Sequence, residues 1–201
     1  MIVLSACNPN RFVSGWVPYW NAPEGRLGFS DPQASTMFND VSPFFYSALP
    51  DGTIGLVGSA TQLKTTVDAA HARGINVLPS ITDGSGKWMM ATVILANTTS
   101  RTQHVQNIVN LVMTNNFDGI DLDYEGFAFS DGTASWPTTK PVWIAFVTEL
   151  NGFDNTFSRN RIAAIGENLT YLFATSFILV QRDQAVPFAS FKIDADTTIV
   201  K

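Results

Sequence analysis

Apolar and polar positions along this chain follow two periods. Short runs rich in β-branched and aromatic residues are separated by longer stretches in which apolar residues recur every three or four positions. The first run, Ser14-Gly-Trp-Val-Pro-Tyr-Trp20, predicts a strand; a Pro/Gly-rich loop and a short segment around Gln33–Asn39 follow it. Val41 to Leu49 predicts a second strand, closed by the turn Pro50-Asp51-Gly52-Thr53. Leu63, Val67 and Ala70 share one helical stripe, so a helix is expected from Thr61, which caps it, to Arg73, with Gly74 ending it. Ile75 to Ile81 predicts the third strand, followed by a turn at Asp83-Gly-Ser-Gly86. A helix over 102–115 carries Val105, Ile108, Val109 and Val112 on one face. Phe117 to Asp123 predicts the fourth strand, and a further helix runs from Pro141 to Leu150.

The strands begin near residues 14, 43, 75 and 117, a spacing of about 30–40 residues that suits a strand–helix–strand step. Strict alternation of the two element types predicts an α/β fold with a parallel sheet. From Asn151 the pattern loosens. Arg161–Ile165, Phe177–Val180, Phe191–Ile193 and Thr198–Val200 have strand character, but no amphipathic helix follows each. The expected organisation is therefore an N-terminal tail over 1–12, a βα unit over 13–150, and a divergent tail over 151–201.

Composition narrows the function classes. The 201 residues carry 12 basic and 17 acidic side chains and are 45 % hydrophobic, which excludes global disorder. No apolar run reaches the ~18 residues needed to span a bilayer. No Lys/Arg cluster interrupts the net charge of −5, so a nucleic-acid partner is not expected. Charged residues make up 14 % and aromatics 12 %; neutral polar groups beside aromatic faces suit a surface that meets sugars. Cys7 is the only cysteine, so no intrachain disulfide forms. It closes Leu4-Ser5-Ala6-Cys7, which resembles a bacterial lipobox and makes Cys7 a lipidation candidate. Only Met1-Ile2-Val3 precede that box, short of a full signal. The alternative is a tail with an incidental thiol.

The chemistry-bearing stretch is Phe117-Asp118-Gly119-Ile120-Asp121-Leu122-Asp123-Tyr124-Glu125. On a strand, Asp121, Asp123 and Glu125 project to one side and Ile120, Leu122 and Tyr124 to the other. Carboxylates in a row repel one another and gain nothing for stability when buried. Repulsion and desolvation favour keeping one of them protonated near neutral pH, which is what general acid catalysis requires. A calcium loop would need an acidic ligand at its twelfth position; counted from Asp121, that position is Gly132. A solvated edge strand would not explain the apolar opposite face. His71 and His104 lie on helices with no partner at metal-ligand spacing, and both are expected to be solvated; no metal and no cofactor are expected.

Asp118-Gly-Ile-Asp121-Leu-Asp123-Tyr-Glu125 resembles the Asp-x-x-Asp-x-Asp-x-Glu signature on the fourth strand of family 18 glycoside hydrolases, the chitinases and endo-β-N-acetylglucosaminidases. All four acidic positions match, and the strand falls fourth in this chain as well. The resemblance implies a (β/α)8 barrel, of which about the first four to five βα units are present. It also implies hydrolysis of β-1,4-linked N-acetylglucosamine polymers by a substrate-assisted retaining mechanism, an exception to the two-carboxylate scheme. Glu125 would be the acid/base, Asp123 would orient the substrate acetamido group, and Asp121 would share a proton with Asp123. Asp118, off parity with the others, would be structural. Tyr19, Trp20, Phe45 and Tyr46, placed at strand ends, and Trp136, placed in the loop after Glu125, are candidates for stacking on sugar rings. Core packing or loop anchoring are their alternative roles. A secreted or cell-envelope location, with a lipid anchor at Cys7, is the matching expectation.

The family pattern also breaks in this chain. Residues 126–201 leave room for roughly two βα units at about 30 residues each, whereas a complete barrel needs four more. Members commonly supply a Tyr-Asp pair from the sixth strand and a Trp from the eighth; here the only later tyrosine is Tyr171, with no aspartate beside it. The third strand reads Ser80-Ile-Thr-Asp-Gly-Ser-Gly86 where many members carry Ser-x-Gly-Gly. Three explanations are open: a truncated or frameshifted product, a half barrel completed as a homodimer, or an inactive member that only binds N-acetylglucosamine-containing glycans. The abrupt change at Asn151 favours the first.

Overall fold

The computed structural model describes residues 13–83, 94–124, 133–154 and 161–162. Strands β1 (Ser14–Pro18), β2 (Asp40–Ala48), β3 (Ile54–Leu56), β4 (Asn76–Val77), β5 (Ser80–Thr82), β6 (Gly119–Asp123) and β7 (Arg161–Ile162) form one sheet. Its main path runs β1-β2-β5-β6-β7, and every pairing along it is parallel. Chain order and sheet order coincide, the pattern that consecutive βα units produce. The expected third strand forms as two short pieces, β4 and β5, both against β2. Pro79 lies between them and has no N–H to give a ladder, though its carbonyl still accepts from Asp121 N at 3.0 Å.

Five helices accompany the sheet among the described residues: α1 (Ala22–Ser30), α2 (Pro32–Ser35), α3 (Ala60–His71), α4 (Thr98–Thr114) and α5 (Trp136–Asp154). Side-chain caps fix three of the starts. Asp31 Oδ1 accepts from Gln33 N and Ala34 N, both at 2.9 Å. Ser59 rather than Thr61 caps α3. Asn97 Oδ1 accepts from Thr99 N at 3.0 Å and Ser100 N at 3.3 Å, so α4 starts four residues before the predicted Thr102. Gly74, at φ +70°, terminates the turn after α3.

Two elements depart from the sequence reading. The stretch taken as a Pro/Gly-rich loop is helix α1. Pro23 sits in its first turn, where no N–H is needed. Gly25 is there for contact: a Cβ would lie 3.0 Å from Val17 Cγ1, so the glycine lets the helix lie on β1. The second addition is β3, which returns antiparallel along the end of β2 after the turn at Gly52.

One face of the sheet is sealed by the helices. Val17, Phe45, Ile81, Ile120 and Leu122 are at most 2 % exposed and join Leu63, Val67, Ile108 and Phe146 in a single core. Each such side chain removed from water contributes about 1.5–3 kcal/mol. The core face thus fixes the register of β6, and with it the direction of the acids on alternate positions.

Candidate active site

Alternation along β6 places Asp121 and Asp123 on the face turned away from the helices. Parallel register puts Ser80 beside Asp121 and Thr82 beside Asp123. Asp121 is 5 % exposed. Its Oδ2 accepts from Ser80 Oγ at 2.6 Å and from Trp16 Nε1 at 2.9 Å. Burial raises the Asp121 carboxyl above the ordinary carboxylate range, and the polar side chains of Ser80, Trp16 and Ser42 oppose that shift. Asp123 is half-buried at the last rung of the ladder, so the two aspartates sit in different environments two residues apart.

The register on β2 decides which side chains join them. Phe44 pairs with Ser80, but the next rung joins Tyr46 to Ile81, so the strand slips by one residue at Phe45. This bulge puts Phe45 and Tyr46 together on the helix side and brings Ser47 round beside Thr82, whose Oγ1 donates to Ser47 Oγ at 3.0 Å. The sequence-based assignment of Phe45 and Tyr46 to sugar stacking is therefore corrected. Phe45 is 0 % exposed; Tyr46 is buried edge-on to Phe117, with ring centroids 6.1 Å apart and its hydroxyl pushed up to about 12 by burial. The aromatic side chain that β2 gives to the acid face is Phe44.

Phe44 meets Trp20 edge-on, with centroids 5.9 Å apart; Trp20 is 67 % exposed and Trp16 48 % exposed. Trp16, Trp20 and Phe44 thus lie on the open side of the sheet near Asp121. Tyr19 turns the other way, its ring 6.3 Å from that of Phe45 and packed on the core. Trp136 is half-buried and begins α5, five residues ahead of the expected helix start, rather than standing in a loop. Strand parity alone could not identify Trp16, because its face is defined only once the β1–β2 register is known. Phe44 was missed because the sequence alone does not say which of the adjacent Phe44 and Phe45 faces the acids.

Asp118 lies before β6, away from the other acids. Its Oδ2 accepts from Val77 N at 2.8 Å and contacts His71 Nε2 at 2.7 Å. Behind the acid face, Tyr124 is 3 % exposed, and its hydroxyl lies 2.6 Å from His104 Nε2. His104 is not solvated as expected: it is 0 % exposed, with Nδ1 2.7 Å from the Gly52 carbonyl. Burial lowers its pKa, and the Gly52 carbonyl acts in the opposite direction. Its place four residues before Ile108 on the apolar stripe of α4 was the signal for this burial. Glu125, Cys7 and the stretch from 163 onward lie outside the described residues. Among the described residues no group of three or more His, Cys, Asp or Glu side chains is arranged to hold a metal ion, and no helix is long and apolar enough to cross a membrane.

Comparisons with known proteins bear on the family and the fold. The family model of glycosyl hydrolases family 18 matches residues 17–171. No curated protein gives a significant match. Among solved structures, the chain is similar to the C-terminal domain of a protein assigned as a chitinase from Desulfitobacterium hafniense DCB-2 (TM-score 0.62, 21 % identity, 76 % of this chain and 44 % of that one). It is similar to a class V chitinase from Pseudomonas fluorescens Pf-5 (0.58, 17 %, 79 % and 48 %). A spore cortex-lytic enzyme of Bacillus megaterium QM B1551 also matches (0.56, 15 %, 77 % and 35 %). The chain spans less than half the length of these structures, and its fold is the N-terminal portion of their (β/α)8 barrel.

Proposed function

Because this chain belongs to glycosyl hydrolase family 18, we propose that it hydrolyses β-1,4-linked N-acetylglucosamine polymers by substrate-assisted retention. Glu125 gives its proton to the glycosidic oxygen as the bond to the anomeric carbon breaks. The carbonyl oxygen of the substrate's own 2-acetamido group closes on that carbon, forming an oxazolinium ion. Asp123 accepts a hydrogen bond from the acetamido N–H, which makes the carbonyl a better nucleophile and holds it in line. Water then opens the ring as Glu125 takes the water's proton, restoring the acid.

The observation that supports this reading best is the placement of Asp121. It is buried directly before Asp123 on the same face, tied by Trp16 and Ser80, and raised by desolvation. A carboxyl so placed keeps a proton that it can share with Asp123 while positive charge develops on the acetamido nitrogen. Trp16, Trp20 and Phe44 offer ring faces on the same side for the sugar.

The test is release of reducing ends from chito-oligosaccharides by the recombinant chain and by Glu125→Gln. The variant is expected to lose turnover while both proteins show sugar-dependent tryptophan fluorescence. Equal turnover in the variant would remove Glu125 from its role. Fluorescence change without turnover in the unmodified chain would favour the second reading, a glycan-binding domain. That reading has one observation behind it, namely the exposed Trp16 and Trp20 beside Phe44, rings that can meet a sugar without any turnover.

A further inference from the structure

Two polar side chains stand behind the acid face and take no part in the chemistry above. Tyr124 and His104 are buried in the helix-side core, 3 % and 0 % exposed. Burying an imidazole and a phenol costs more than burying a leucine and a phenylalanine of similar volume, so stability alone gives no reason for the pair.

The geometry fixes how its protons are arranged. The Gly52 carbonyl can only accept, so His104 Nδ1 carries the proton and donates to it at 2.7 Å. Nε2 of the neutral ring is then an acceptor, and the Tyr124 O–H donates to it at 2.6 Å. Asn107 Nδ2 donates to the same Gly52 carbonyl at 2.9 Å, which secures the far end of the chain. The rings are held as well. Phe146 of α5 stacks on Tyr124 and on His104, with centroids 5.9 and 5.7 Å away, and Trp143 lies 6.0 Å from Tyr124. The Asp83 charge, at the end of β5, adds to the burial that raises the Tyr124 hydroxyl, so this phenol stays a donor.

Tyr124 follows Asp123, the last residue of β6 paired to β5. Tyr124 stands one residue past that rung, and its side chain is held by the bond to His104 and by the ring of Phe146. Its neighbours in sequence are Asp123 and Glu125, the two acids of the proposed chemistry.

We propose that Tyr124 and His104 are positioning residues: the hydrogen-bonded line from Gly52 through His104 to Tyr124 sets the aim of the Asp123 carboxylate that precedes it. This rests on the hydrolytic reading above. The pair acts through the backbone and touches no substrate. It therefore governs the transition state more than sugar binding, and a small misplacement of a reacting group is enough to lower turnover strongly.

Three variants test this, each checked for folding by its thermal midpoint. Tyr124→Phe removes only the hydroxyl. His104→Leu removes both nitrogens, and His104→Gln keeps a donor for Gly52 and an acceptor for Tyr124. Two quantities are read: kcat and KM on chito-oligosaccharides, and the titration of the Asp123 carboxyl carbon by ¹³C NMR, which needs no turnover. Tyr124→Phe and His104→Leu are expected to lower kcat about tenfold with KM within about twofold. Both should displace the Asp123 titration midpoint, and His104→Gln should recover most of each effect. Unchanged kcat and an unchanged Asp123 titration in folded Tyr124→Phe would overturn the proposal. So would losses that only follow the folded fraction. If the unmodified chain shows no turnover, a displaced Asp123 midpoint in Tyr124→Phe still supports the anchor while the hydrolytic reading falls; an unmoved midpoint removes both.

Discussion

Replacing Asp118 separates the one scaffolding acid of the signature from the others. Asp118 and Val77 exchange two bonds: Asp118 N donates to Val77 O at 2.9 Å, and Val77 N donates to Asp118 Oδ2 at 2.8 Å. The side chain thereby satisfies a backbone donor on a residue that is 0 % exposed. Truncation to alanine leaves that N–H unsatisfied, at a cost of about 1–3 kcal/mol. The contact with His71 is about one-third exposed on both sides and adds only about 0.2–1 kcal/mol after screening. Asp118→Ala should therefore destabilise by about 2–3 kcal/mol, a fall in thermal midpoint of roughly 5–10 °C for a chain of this size. Asp118→Asn keeps an acceptor for Val77 and should lose about 1 kcal/mol. Urea unfolding at pH 7 measures both, and kcat corrected for the folded fraction should be nearly unchanged. A loss below about 0.5 kcal/mol in the alanine variant, or an asparagine variant as damaged as the alanine one, would refute the role assigned to this carboxylate.

Two further outcomes follow from the site and its frame. Since burial raises Asp121 from its ordinary 3.8, its contribution to stability is fully present below pH 3.8 and is lost as pH rises through the folded value. Asp121→Asn should accordingly gain on the unmodified chain as pH increases; thermal midpoints differing by the same amount from pH 4 to 8 would contradict this. Gly58 has φ +95° and a built Cβ would lie 2.9 Å from Tyr19 Cβ, whereas Gly74 has φ +70° and open space. Gly74→Ala should cost about 1–2 kcal/mol from the backbone alone, and Gly58→Ala should cost distinctly more in the same urea assay.

The strongly periodic elements were legible because burial imposes their period. Leu63, Val67 and Ala70 marked α3, and Val105, Ile108 and Val112 marked α4, within a few residues of the observed bounds. The acid strand was legible for the same reason, its opposite face being Ile120 and Leu122. Tertiary contact decided what the local pattern could not. Helix α1 carries glycines that read as a loop until Val17 is seen against Gly25. Phe44 and Phe45 are chemically identical neighbours, and only the pairing of β2 tells the ring on the acid face from the ring in the core. His104 has the composition of a surface residue and the position of a core one; its burial follows from Gly52 and Tyr124, which arrive from two distant parts of the chain.

The slip at Phe45 has a consequence for how this cleft can change. In an unbroken strand the aromatic pair would straddle the sheet, with one ring among the acids. The extra residue instead presents a hydroxyl there and keeps both rings dry. Deleting Phe45 would return β2 to plain alternation, with Phe44 still on the acid face, Tyr46 still in the core and Ser47 still beside Thr82. The bulge therefore lets this strand bury one more ring than plain alternation would allow, while the groups it presents beside Asp123 stay the same.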